Sequence, residues 1–223
     1  MAQPMFDPQT LPIEDWVGEH AVAPEHMHPL ALRQRFANPP LWTPEMPQEP
    51  RFNQRPVTDA AVLMPIVLAA DGAHLLLTQR TSHLTDHAGQ ISFPGGRSEP
   101  EDASAVETAL REAEEEVGLQ RAHVDVLGTL PDYLTGTGYR VTPVVALVTP
   151  PFELTADPFE VAEIFQVPLA FLMDGQNHQR RQFALPGDNG TALRTFYAMP
   201  YQRFFIWGAT AGMLRNLFHF LRA

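Results

Sequence analysis

Four carboxylates crowd into "REAEEEVGL", Arg111 to Leu119: Glu112, Glu114, Glu115 and Glu116. On a helix, like charges three or four residues apart repel by about 0.2–0.5 kcal/mol per pair, so the arrangement raises the question of what these acids hold. At 3.6 residues per turn Glu112, Glu115 and Glu116 share one face. Arg111 lies one turn before Glu115 and can orient it by an ion pair, while Glu107 and Glu114 project elsewhere as solvated surface. Clustered carboxylate oxygens suit a hard cation, Mg²⁺ or Mn²⁺, which binds one or two carboxylates together with waters and substrate phosphates. A run of acids can equally be a solvated helix face. What favours a site is "FPGG", Phe93 to Gly96, directly upstream, where flexible backbone can approach a ligand and turn a carbonyl toward a metal.

The helix that must carry these acids is legible from its ends and its stripe. Val106, Leu110, Ala113 and Val117 recur with helical spacing and should face the core. Asp102 or Ser104 can cap the start, the latter with Glu107 completing a capping box, and Gly118 suits a left-handed C-terminal position. This predicts a helix from roughly Asp102 to Val117. Around it, "AAVLMPIVLA" and "HLLLTQR" read as strands joined at "ADGA". "HVDVLGTL" and "YRVTPVVALVT" read as further strands joined by "PDYLTGTG", whose Gly136 to Gly138 is a simple connector. "EIFQVPL" leads into a short helix, "RRQFAL" and "LRTFYAM" flank a turn at "PGDNGT", and "FIWGATAGMLRNLFHFL" reads as a closing helix for core or dimer packing. Strands on both sides of one central helix give a mixed α/β layered domain, not a run of βαβ units.

Half of the 22 prolines precede Val57. Residues 1–57 therefore read as an irregular arm with one short helix at "HPLALRQRFA", packed along the domain or a partner subunit, and residues 58–223 as the domain itself. The formal charge is −11, and all 15 basic residues are Arg. A field of that sign repels nucleic acid but admits a small phosphorylated ligand when metal ions neutralise the contact. The absence of Cys removes disulfides, thiolate catalysis and Cys-based zinc sites. No signal peptide is visible and no stretch has the ~18–20 apolar residues of a membrane span, so a cytoplasmic protein without a membrane partner is expected.

"GGRSEPEDASAVETALREAEEEVGL" resembles the Nudix box, G-x5-E-x7-R-E-U-x-E-E-x-G-U. "REAEEEVGL" fits the second half, with Ala113 and Leu119 at apolar positions. In the first half the acidic position counted from Gly96 is Asp102, and eight residues separate it from Arg111. Upstream, "LLTQRTSHLTDHAGQISFPGG" resembles the signature of the coenzyme A pyrophosphatase branch, LLTxR[SA]x3Rx3Gx3FPGG, which carries the same one-residue extension. Leu76, Leu77, Thr78, Arg80, Gly89, Phe93, Pro94, Gly95 and Gly96 match it. Thr81 stands where Ser or Ala is usual and Thr85 where Arg is usual. Thr85 cannot contact a phosphate as a guanidinium does; His83 and His87 lie nearby and could substitute for it.

The resemblance implies a Nudix α/β/α sandwich with a mixed sheet and a loop-helix-loop metal site, and a metal-assisted attack of water on a pyrophosphate. It implies Glu112, Glu115 and Glu116 as metal ligands, joined by a backbone carbonyl of Gly95 or Gly96, with Arg111 orienting the acids. The two glycines would meet the substrate, and Arg80 would supply a cationic contact to it or an orienting ion pair. The base comes from the box or from a later loop, where Glu160 or Glu163 is the candidate and Glu163 is carried forward. The implied substrate is coenzyme A or its thioesters, cleaved to 3′,5′-ADP and 4′-phosphopantetheine or its acyl form, and a homodimer is compatible. Another nucleoside diphosphate derivative, such as ADP-ribose or a dinucleotide, is the alternative that Thr85 keeps open; a catalytically silent binding module would have lost the box acids.

Overall fold

A computed structural model describes residues 7–51, 56–83, 89–187 and 190–223, with backbone alone over 185–187 and 190–192. Two long strands, β2 (Thr58–Ala69) and β3 (Gly72–Arg80), form an antiparallel hairpin, with Leu68 opposite Ala73 and Ala69 opposite Gly72. Gly72 turns the chain at a φ of 133°, a backbone state that favours glycine. β2 also runs parallel to β8 (Tyr139–Val148), and β8 pairs with β6 (Val124–Thr129) and the short β7 (Tyr133–Leu134). β9 (Val161–Pro168) and β4 (Ile91–Ser92) pair with β3, and β5 (Gly95–Arg97) pairs with β2. The result is a mixed sheet of eight strands.

Alternation along these strands feeds two cores. Ala61, Leu63, Leu76, Val144 and Ala146 face α2 (Ala105–Val117), whose Ala109, Ala113 and Val117 are buried against them. Met64, Ile66, Leu75, Leu77, Val145 and Leu147 face the opposite side and pack on α4 (Gly208–Arg222). Helices on both faces of a mixed sheet make the α/β/α sandwich that the resemblance implies. A second, four-stranded sheet, in the order β1 (Ile13–Trp16), β10 (Gln179–Gly187), β11 (Gly190–Tyr201) and β12 (Phe204–Trp207), joins the α4 side. Phe165 of β9 stacks flat on Phe204 of β12 at 3.6 Å between ring centroids.

The closing helix begins later than its sequence suggests. Phe204 and Ile206 are buried while Phe205 and Trp207 are half-buried, a strand alternation, and Gly208 at φ 63° marks the change to helix. Ahead of the sheet, the short helix α1 (Pro29–Ala37) lies inside an arm that is tied to the domain along its length. Val22 N donates to Met173 O at 2.8 Å and Glu49 N to Leu134 O at 2.7 Å. Asn216 of α4 brackets Met46, accepting from its N at 2.9 Å and donating to its O at 2.8 Å. A four-residue turn of helix, α3 (Leu169–Leu172), links β9 to β10. Among the described residues, no helix is long and apolar enough to cross a membrane.

Candidate active site

α2 is defined at both ends by its own residues. Ser104 Oγ accepts from Glu107 N at 3.3 Å at the start, and Gly118 at φ 69° closes the other end. Asp102, the alternative cap, does something else. Its carboxylate accepts from Arg111 Nε at 3.0 Å and Nη2 at 2.9 Å, from Thr108 Oγ1 at 2.9 Å and from Glu99 N at 2.9 Å. The Arg111 hydrogen bonds hold the Asp102 carboxyl well below its usual range, and Asp102 in turn raises Arg111. With one end clamped, Arg111 Nη1 donates to Glu112 Oε1 and to Glu115 Oε2, both at 3.0 Å, and Nη2 donates to Arg97 O at 3.1 Å. The fork therefore connects the loop after β5 to the acids of the helix. The sequence marked Asp102 as the acidic position of the motif, but only the fold reveals it as the anchor of Arg111.

The three acids read together in the sequence separate in space. Glu116 is 4% exposed and Glu112 is largely buried, whereas the Glu115 side chain is 60% exposed on its Arg111 partner. Glu116 Oε2 accepts from Gly95 N at 3.1 Å. Burial pushes the Glu116 carboxyl up to about 8, opposed by the Gly95 hydrogen bond and the Arg80 charge and reinforced by the charges of Glu160 and Glu112. Glu112 is also raised, by burial first, against Arg111 and with Glu115 and Glu160.

The two glycines make room for these groups. A Cβ on Gly96 would stand 2.5 Å from Glu112 Cδ and 2.6 Å from its Oε2, so the carboxylate occupies the space a side chain would fill. A Cβ on Gly95 would strike Ala61 O and stand 2.6 Å from Val62 Cα, because β5 lies hard against β2.

β3 and β9 supply the other wall. Leu76, Thr78 and Arg80 alternate onto the α2 face of the sheet, which brings Arg80 Nη1 to 3.6 Å from Glu116 Oε1 and Nη2 to 3.8 Å from Glu160 Oε2. These distances exceed good hydrogen bonds, and Arg80 Nε is buried without a hydrogen-bond partner. Glu163 lies elsewhere. Plain alternation puts Glu163 in phase with Phe165 and Val167, on the α4 face, where it pairs with Arg203, while a bulge opposite Gln79 and Arg80 returns Val161 to the α2 face. Glu160, on the turn before β9, is the acid of that segment whose charge acts on Glu112 and Glu116. Thr85 and His87 lie outside the described residues.

The NUDIX domain model matches residues 57–184, more than half of the chain. The chain belongs to the Nudix family. Relatives named as an uncharacterized Nudix hydrolase, NudL, from Shigella flexneri and from Escherichia coli strain K12 are 41% identical over 170 residues, covering 75% of this chain and 86% of theirs. A Caenorhabditis elegans Ap4A hydrolase structure is 22% identical with a TM-score of 0.43, over 51% of this chain and 81% of that one.

Nudix hydrolases generally use divalent metal ions, and the donor set can be tested for one. Among the described residues, no three acidic or histidine side chains already stand in a metal-binding group. The fit comes instead from unmet charge. The buried Glu116 and the half-buried Glu112 lie where burial and neighbouring acids resist ionisation, and among the described residues the cations paired with them are Arg111, committed to Asp102, and the loosely held Arg80. Oxygen donors in that condition suit a hard divalent cation.

Proposed function

We propose that this protein is a divalent-metal-dependent pyrophosphohydrolase that cleaves coenzyme A or acyl-coenzyme A to 3′,5′-ADP and (acyl-)4′-phosphopantetheine. The observation that carries the chemistry is the pair of carboxyls, Glu116 buried and Glu112 half-buried, held against Gly95 and Gly96. The substrate class rests on "LLTQR" and "FPGG", which set Arg80 and the two glycines around that pair.

Glu112 and Glu116 would hold Mg²⁺ or Mn²⁺, with Glu115 and the backbone of Gly96 completing the set. When bound, such an ion supplies charge neutralisation on the phosphates and a more acidic water. Arg111 is a positioning residue: clamped by Asp102, it fixes Glu112 and Glu115 at 3.0 Å. We assign the general base to Glu160 in preference to Glu163, because Glu160 is half-exposed and faces the carboxyl pair while Glu163 is turned to Arg203. Arg80 has an unsatisfied Nε and contacts of 3.6 and 3.8 Å. It can therefore turn toward a substrate phosphate at little cost in existing bonds.

Product analysis tests this reading. Incubation of coenzyme A with Mg²⁺, then Mn²⁺, should give equimolar 3′,5′-ADP and 4′-phosphopantetheine, and excess chelator should abolish the reaction. Release of inorganic phosphate alone, or turnover indifferent to chelator, would overturn it.

A further inference from the structure

We propose that Phe159 and His83 form a corner that receives the flat base of the substrate's nucleotide half, an inference that rests on the nucleoside diphosphate hydrolysis proposed above. Phe159 is 74% exposed, a large ring left in water beside the acid Glu160. A lone exposed apolar residue ordinarily needs no explanation, but the backbone that carries this one is fixed from both sides. Asp157 Oδ1 accepts from Phe159 N at 2.8 Å, and Asp157 O accepts from Val161 N at 2.8 Å, closing the turn. Thr81 then ties the turn to the end of β3, its Oγ1 donating to Phe159 O at 2.9 Å and its N to Glu160 O at 2.9 Å.

Thr81 directly follows Arg80, and Phe159 directly precedes Glu160. The exposed ring is thus held in register with the two side chains that flank Glu116. With its backbone fixed before the ligand arrives, the ring has only its two side-chain torsions left to lose on binding. The His83 ring stands 5.5 Å from that of Phe159 with the planes 86° apart. Two perpendicular rings suit a planar heterocycle, which can lie on one while its edge meets the other. A face of carbon favours stacking, and an imidazole nitrogen can hydrogen-bond a base edge. An apolar acyl chain would use the ring face but not the imidazole. A phosphate would use the imidazole but not the ring face, so of the substrate's parts a base is the one that uses both.

The test compares the wild type with Phe159→Ala, Phe159→Tyr and His83→Ala, using 3′,5′-ADP and ribose 5-phosphate as binding probes in calorimetry and coenzyme A as substrate. Phe159→Ala should weaken 3′,5′-ADP binding about tenfold and raise KM for coenzyme A similarly, with kcat within about twofold. Phe159→Tyr should restore both, ribose 5-phosphate should bind all variants alike, and His83→Ala should show a smaller loss for 3′,5′-ADP only. Unchanged 3′,5′-ADP affinity in Phe159→Ala, or a KM rise confined to long-chain acyl-coenzyme A, would overturn the proposal while wild-type cleavage left the function standing. A wild type that cleaves no nucleoside diphosphate derivative would instead remove the reading beneath it.

Discussion

Glu116 and Glu114 sit two residues apart on one helix and should behave as opposites. Glu116 is buried against Gly95, whereas Glu114 is half-exposed, 3.8 Å from Arg121. Glu116→Gln keeps size and helix propensity, and turnover is expected to fall at least ~10²-fold with the fold intact, as for lost metal-borne stabilisation of several kcal/mol. Glu114→Gln should leave rates within about threefold. Similar losses in steady-state assays at saturating metal would show that the two faces are misassigned. The glycines offer a second contrast. A Cβ on Gly96 meets the side-chain end of Glu112 rather than backbone, so Gly96→Ala should displace that carboxylate and cost about tenfold or more in kcat/KM with little change in Tm. On Gly95 it meets the backbone of β2, so Gly95→Ala should lower stability by about 2 kcal/mol or more in denaturant titrations. The residue types and spacing made Glu112, Glu116 and Arg111 legible in advance. They could not place Glu115 outside the buried pair, because a helical wheel groups residues by angle and does not know how deep each sits. Nor could they separate Glu160 from Glu163, because a bulge between Glu163 and Val161 breaks the alternation that would relate the two.

At the scale of elements, the arm proves to be tied into α4 through one buried cation. Arg215 is 1% exposed and lies 2.7 Å from both Glu19 and Glu45, which the arm delivers. Burial alone would raise Glu45, but hydrogen bonds from His219, Arg215 and Tyr197 outweigh it and hold the carboxyl well below its usual range. Removing residues 1–57 would leave Arg215 buried without these partners, a loss of about 3–5 kcal/mol for such a pair before packing is counted. A 58–223 fragment is therefore expected to be unfolded or molten by near-UV circular dichroism; a cooperative thermal transition like that of the full chain would contradict this.

The same network carries a pH dependence. His178 is fully buried, with Nε2 2.8 Å from Leu172 O and Nδ1 3.0 Å from Arg215 Nη1, the arrangement of a neutral ring that donates through Nε2 and accepts through Nδ1. Burial foremost, with the Arg215 charge, lowers its pKa to about 4. The unfolded chain, with His near 6.5, takes up the proton first. Stability should thus be complete above pH 6.5 and decline by on the order of 3 kcal/mol as pH falls to 4. His178→Gln, which can keep both hydrogen bonds without titrating, should flatten that decline in denaturant titrations; an unchanged slope would remove His178 as its source. None of this was legible in the sequence. A Pro-rich segment announces that it is irregular, but the pairing of Glu19 and Glu45 with Arg215 spans 196 and 170 residues. By contrast α2 and the β2–β3 hairpin, whose caps, stripe and turn are local, were readable directly.

For the whole molecule, the formal charge of −11 without a single Lys makes recognition of a highly anionic substrate depend on few groups. Coenzyme A carries a 3′-phosphate that ADP-ribose and dephospho-coenzyme A lack, and beside the acid pair Arg111 is committed to Asp102 while the guanidinium of Arg80 has only loosely held contacts. Loss of one charge-assisted contact, roughly 1.5–3 kcal/mol, corresponds to about tenfold or more in kcat/KM. The family and the fold follow from the chain as a whole; the substrate rests on this one loop and strand end, where Thr85 departs from the expected Arg. The most direct test is therefore the ratio of kcat/KM for coenzyme A, dephospho-coenzyme A and ADP-ribose, measured side by side with saturating Mg²⁺ and then Mn²⁺. Coenzyme A should exceed both others by about tenfold or more with either ion. Equal values for coenzyme A and dephospho-coenzyme A, with faster cleavage of ADP-ribose, would contradict the assignment to coenzyme A.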